Sequence, residues 1–113
     1  MRASWFSGQP IVWTRVHKLP DFVYFNHAAH VNKGVGCAEC HGRVDQMAAI
    51  EQVQPLTMGF CLDCHRNPQP RLRPLEEVAN VRWVPPADRA ALGAELARKY
   101  DVKPKVNCST CHR

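Results

Sequence analysis

A chain of 113 residues has room for one domain and, on ordinary grounds, only a modest apolar core. Its formal charge of +5 would suit an acidic partner or nucleic acid, but charge alone selects neither. No run approaches the ~18 apolar residues needed to cross a bilayer. Met1-Arg2-Ala3-Ser4-Trp5 has one charge and no apolar stretch behind it, unlike a secretory signal.

Residues 1–24 hold Trp5, Phe6, Trp13, Phe22 and Tyr24 with Pro10 and Pro20, and are predicted to form an extended, irregular lead-in. His17 stands alone there, in Val16-His17-Lys18-Leu19-Pro20. Residues 25–67 read as a compact unit with short connections. Within it, Phe25-Asn26-His27-Ala28-Ala29-His30-Val31 puts two histidines three apart, on roughly the same side of one helical turn. Val44, Met47, Ala48, Ile50 and Val53 fit neither strict alternation nor a clean helical stripe, so a short strand or a turn of helix is expected. Pro68, Pro70, Pro74, Pro85 and Pro86 predict extended chain over 68–86. One longer helix is predicted over 87–100. It follows a proline pair, has Asp88 in its first turn, Arg98 and Lys99 in its last and Pro104 beyond, with Leu92 and Leu96 on its inner face.

Three copies of Cys-x-x-Cys-His punctuate this order and use every cysteine: Cys37-Ala-Glu-Cys40-His41, Cys61-Leu-Asp-Cys64-His65 and Cys108-Ser-Thr-Cys111-His112. The pattern is the attachment signature of c-type haem. Thiols at i and i+3 on one turn both reach the vinyl groups of one porphyrin, and the following histidine is the proximal iron ligand. Cys37-x2-Cys40 and Cys61-x2-Cys64 also approach a four-cysteine zinc ribbon, but that leaves the third pair and the three histidines without a role. A disulfide framework gives no reason for the histidines either. A thioredoxin-type pair would need a βαβ context, and nothing alternates that way. The motifs therefore predict three covalent haems c.

Histidine bookkeeping agrees. Three of the six histidines are proximal, leaving His17, His27 and His30 for three sixth positions. That count predicts bis-histidine, six-coordinate haems suited to electron transfer rather than to catalysis at an open iron. Met58, three residues before Cys61, competes for the last position, since a thioether also binds haem iron. Met47 and Met1 have weaker claims, and a methionine in an apolar run is commonly core filler. With two ionised propionates on each ferric haem, the net charge falls to about +2, and to about −1 on reduction, which removes the case for nucleic acid. Arg66, Arg71, Arg73, Arg82 and Arg113 are then expected to meet propionates or a partner surface. The lead-in aromatics are expected against haem faces or in ordinary packing.

The connecting residues carry a resemblance as well. Val12-Trp13-Thr14-Arg15-Val16-His17, Leu19 through His27, His30-Val31, Cys40-His41-Gly42-Arg43-Val44, Pro55-Leu56-Thr57-Met58, Cys61 through Pro68 and Asn107 through Arg113 resemble the C-terminal, three-haem part of the pentahaem subunit of bacterial alternative complex III. More broadly the chain is similar to cytochrome c7-type, class III multihaem domains, where Phe-x-His-x-x-His precedes the first haem motif. The resemblance implies a small, mostly irregular c7/c3-like fold with short α-helices and three covalent haems as its core. It also implies His27 as distal ligand of the haem on His41, His30 of that on His65, and His17 of that on His112. Its partners would be membrane quinol-oxidising subunits and a periplasmic cytochrome c or oxidase. The setting would be the periplasm or the outer face of the bacterial cytoplasmic membrane, with export information lying outside this chain. A freestanding periplasmic shuttle and a polymeric haem wire are the alternatives.

Overall fold

The computed structural model describes residues 2–113. It contains six short helices: α1 Arg2–Ser7, α2 His27–Val31, α3 Cys37–His41, α4 Met58–Arg66, α5 Arg89–Lys99 and α6 Cys108–Cys111. 3-10 turns lie at Val44–Gln46, Gln69–Arg71 and Leu75–Glu77. Among the described residues there are no strands, only antiparallel bridges between Val23 and His112 and between Val35 and Leu72. The small, mostly irregular fold with short helices is thus the one that forms. No described helix is long and apolar enough to cross a membrane.

Local chemistry explains where the helices start. The Asn26 side chain accepts the Ala29 N–H at 3.3 Å, and the Thr57 hydroxyl accepts the Phe60 N–H at 3.3 Å, so α2 and α4 each begin at a side-chain cap. α5 ends where the Tyr100 N–H turns back to the Leu96 and Arg98 carbonyls. The next residue, Asp101, takes a left-handed φ of 47° that stops further winding.

Among the described residues one pair of elements packs closely. α5 lies against the 3-10 turn at 69–71, and Gly93 permits this because a Cβ there would overlap the Gln69 carbonyl. Around that contact Leu72 is 1%, Val78 4% and Leu96 3% exposed, the only hydrophobic side chains among the described residues to be fully buried. The Arg73 N–H donates to the Gly34 carbonyl at 2.8 Å, and the Cys37 N–H to the Val78 carbonyl at 2.9 Å. The second bond ties the first turn of α3 to this core. Elsewhere the polypeptide stays open. Its radius of gyration is 16.7 Å, against ~13 Å for a compact domain of this length.

Several expectations are corrected. The lead-in is not wholly extended, because Arg2–Ser7 is helical. Trp5, Phe6 and Trp13 are more than 80% exposed and face solvent. The 43–53 stretch, by contrast, gives one of its two expected outcomes, a turn of helix, in the 3-10 form at Val44–Gln46. The proline-rich 68–86 segment is broken by two 3-10 turns, since the proline φ suits a 3-10 turn as well as extended chain. The longer helix is shorter than 87–100, running Arg89–Lys99, with Leu96 buried and Leu92 half-buried. Arg73 and Arg82 are engaged by carboxylates of the chain itself, Arg73 with Glu39 at 2.8 Å and Arg82 with Asp45 at 2.7 Å.

Candidate haem site

Helices α3, α4 and α6 each carry a cysteine pair one turn apart, with the motif histidine within one residue of the helix end. A helical turn projects i and i+3 to one side, so both thiols of each pair point the same way. None of the six thiols is paired in a disulfide. They open onto one shared cavity of about 1420 Å³, well above the ~300–1,000 Å³ of ordinary small-molecule pockets. Its wall includes Cys37, Cys40, Cys61, Cys64, Cys108 and Cys111 and all six histidines, His17, His27, His30, His41, His65 and His112. Among the described residues no three His, Cys, Asp or Glu side chains converge on a point suited to a bare metal ion.

Two histidine pairs face each other across this space. The His27 and His41 rings are nearly parallel, 7° apart, with centroids 6.3 Å apart. The His30 and His65 centroids lie 6.0 Å apart. Metal–imidazole bonds of ~2 Å place two axial ring centroids roughly 6 Å apart, so each pair has the span of a six-coordinate iron. The His30 and His65 tautomers are also fixed. His30 donates its Nδ1–H to the Asn26 carbonyl and His65 donates its own to the Lys105 carbonyl, both at 2.8 Å. A carbonyl can only accept, so each Nε2 keeps a free lone pair for a metal. Phe25 stacks on His30, centroids 4.5 Å apart, and stands edge-on to His27 at 4.7 Å.

The electrostatics favour neutral ligands. Burial lowers the pKa of His30, opposed by its bond to Asn26 and assisted by the charges of His65 and His27. Burial lowers that of His41 too, with His17 and His27 adding to the effect. Burial raises the Cys40, Cys61 and Cys64 thiols. Cys40 is pushed further by Cys64 and Cys61, and Cys61 by Cys111, so the attachment points are close enough to feel one another.

The third motif is held differently. The Tyr24 N–H donates to the Cys111 carbonyl at 2.7 Å, and the Arg113 N–H to the Phe22 carbonyl at 3.2 Å. Phe22 packs against His112 with centroids 5.6 Å apart, and the Arg113 guanidinium covers the Tyr24 ring at 4.0 Å. Residues 22–24 are therefore a strap that seats α6 beside the other two motifs. Sequence reasoning missed this role, because its carriers are main-chain groups with no residue signature; the aromatics at 22 and 24 were the available signal.

His17 meets His41. Its Nε2 is 3.3 Å from His41 Nδ1, and the rings are edge-on with centroids 4.5 Å apart. Met58 is the first residue of α4 and lies on the cavity wall, 66% exposed. Met47 is half-buried, and Met1 lies outside the described residues. Arg71 also lines the cavity.

Residues 23–113 match the family model described as cytochrome c7 and related cytochrome c, a match that takes in all three motifs and the His27–His30 pair and begins after His17. No curated protein matches the chain.

Proposed function

The chain belongs to the family of cytochrome c7 and related cytochromes, binding haem c covalently for electron transfer, and from that premise we propose that it holds three haems and relays electrons among them. The observation that carries this reading is the single cavity walled by all six cysteines and all six histidines. Cys37 and Cys40, Cys61 and Cys64, and Cys108 and Cys111 supply the thioethers, with His41, His65 and His112 as proximal ligands. His27 serves the haem on His41 and His30 that on His65, as their ring spacings support. For the haem on His112 the sixth ligand is His17, whose ring would leave His41 to reach it, with Met58 as the alternative. Each haem supplies a one-electron iron centre. The chain's part is to hold neutral imidazoles in fixed tautomers and to cover the porphyrins with apolar wall. The protein is an electron carrier, and its family is typically periplasmic.

We further infer a relay role inside a quinol-oxidising respiratory assembly of the alternative complex III kind. Exposed Trp5, Phe6 and Trp13 support this, since bulky aromatics open to solvent suit a covering partner. Partners would be the membrane quinol-oxidising subunits and a periplasmic cytochrome c or oxidase. Native-gel separation of membrane and soluble fractions, followed by haem staining and mass spectrometry, tests it. Migration in a large membrane assembly with quinol-oxidising activity supports the relay. A small soluble species instead makes the protein a freestanding shuttle, and a ladder of multiples makes it a haem wire.

A further inference from the structure

Glu39, inside the first haem motif, is surrounded by three guanidinium groups. Arg73 Nη2 donates to its Oε1 at 2.8 Å and Arg89 Nη2 to the same oxygen at 3.4 Å, while Arg71 Nη1 stands 3.6 Å from Oε2. Three cations against one carboxylate leave a net positive charge of about two beside the haem attachment helix.

The three arginines are not equivalent. Arg73 is 3% exposed, donates again to the Asn80 carbonyl at 3.1 Å and lies 4.9 Å over the Trp83 ring. It passes so close to Gly36 that any Cβ there would overlap its guanidinium. Arg73 is therefore fixed, and it does not line the cavity. Arg89 stands at the start of α5. Arg71 alone of the three lines the cavity, about one-third exposed, with its guanidinium 5.7 Å over the Phe60 ring. Its contact with Glu39 is longer than a hydrogen bond, so its donors are not consumed there. Glu39 lies between the two cysteines of the first motif and Phe60 directly precedes Cys61 of the second, so Arg71 stands between these two motifs.

Arginine keeps its charge at every accessible pH. A fixed cation in a half-desolvated site favours the state with one more electron. We propose that Arg71, steered by the Glu39 carboxylate and backed by Arg73 and Arg89, raises the reduction potentials of the haems on His41 and His65 and makes that pair a preferred resting place for the electron. This rests on the triheme reading above.

The test is potentiometric titration of the holoprotein, with individual haems distinguished by NMR, after haem number has been counted by intact mass. Arg71→Gln should lower the potentials of the haems on His41 and His65. The expected change is at least threefold in oxidised-to-reduced ratio at fixed ambient potential, ~28 mV for a one-electron couple. The haem on His112 should move less. Arg71→Lys, which keeps the charge, should retain most of the wild-type potential, and Arg82→Gln, whose charge sits on the Asp45 surface pair, should change nothing. Unmoved potentials in a fully loaded, low-spin Arg71→Gln protein would overturn the proposal. So would an equal shift of all three haems, or a Lys variant that behaves like Gln. Loss or absence of haem from the wild type would instead overturn the triheme reading, so the two failures are distinguishable.

Discussion

Two regions of this molecule are built on opposite principles. Around Leu72, Val78 and Leu96 the polypeptide packs on itself, with α5 seated on the 69–71 turn. Around the cavity the chain forms a shell instead, whose wall is lined by Phe22, Tyr24, Phe25 and Met58 together with the six cysteines and six histidines. The first region is a bracket: through the Cys37 N–H to Val78 carbonyl bond it fixes where α3 stands. On the triheme proposal, the second region depends on what it holds, so stability and function meet in the same bound groups, while the protein's own core ties down α3, one of the three attachment helices.

The sharpest way to break this division is to remove a haem. If each macrocycle hides ~400 Å² of apolar surface, its burial contributes roughly 10 kcal/mol before entropy costs. The Cys61→Ala/Cys64→Ala double variant should lose one haem and with it cooperative unfolding, read by circular dichroism during thermal melts. A melt indistinguishable from wild type would show that the bracket, not the cofactors, carries the fold. Within the bracket the effects are those of an ordinary small core. Leu96→Ala should cost ~2–5 kcal/mol by denaturant unfolding of the holoprotein, with the haem spectrum intact. Gly93→Ala should cost about 1–3 kcal/mol by forcing α5 off the Gln69 carbonyl.

On the cavity side, single ligand changes should alter spectroscopy more than they alter the fold. His30→Ala should convert one haem to a high-spin form that binds carbon monoxide when reduced, visible in the optical and EPR spectra. His17→Ala tests the sixth ligand of the haem on His112. A third haem turning high-spin makes His17 its ligand, and three low-spin haems hand that place to Met58. The smallest effect belongs to neither region. Arg43, at 2.8 Å, and Arg82, at 2.7 Å, hydrogen-bond Asp45 and hold its carboxyl well below the usual carboxylate range. A depressed carboxylate pKa contributes stability above the unfolded value of 3.8 that is lost as pH falls through the folded one. The pair is exposed and solvent-screened, so Asp45→Asn should shift the melting temperature at neutral pH barely at all and flatten its decline below about pH 4.

The cavity was far more legible in the sequence than the bracket. Attachment chemistry demands fixed residue types at fixed spacing, so the three motifs and the His27–His30 turn stood out before any fold was known. The bracket depends on a glycine contact at Gly93 and on main-chain bonds from Arg73 and Cys37, none of which alters hydrophobic periodicity. Arg73 misled for a related reason: its charge suggested a propionate, but the carboxylate it meets is Glu39, 34 residues away in sequence and next to it in space. The 22–24 strap was hidden in the same way, since its hydrogen bonds come from backbone that any residue could supply.

Intact-mass spectrometry of the native protein under denaturing conditions counts the attached haems, because thioether-linked haem survives unfolding. Triheme attachment gives the polypeptide mass plus three haems on every chain. Two haems or fewer in a fully matured preparation, or a mass that includes zinc in native spray and no haem, would contradict it.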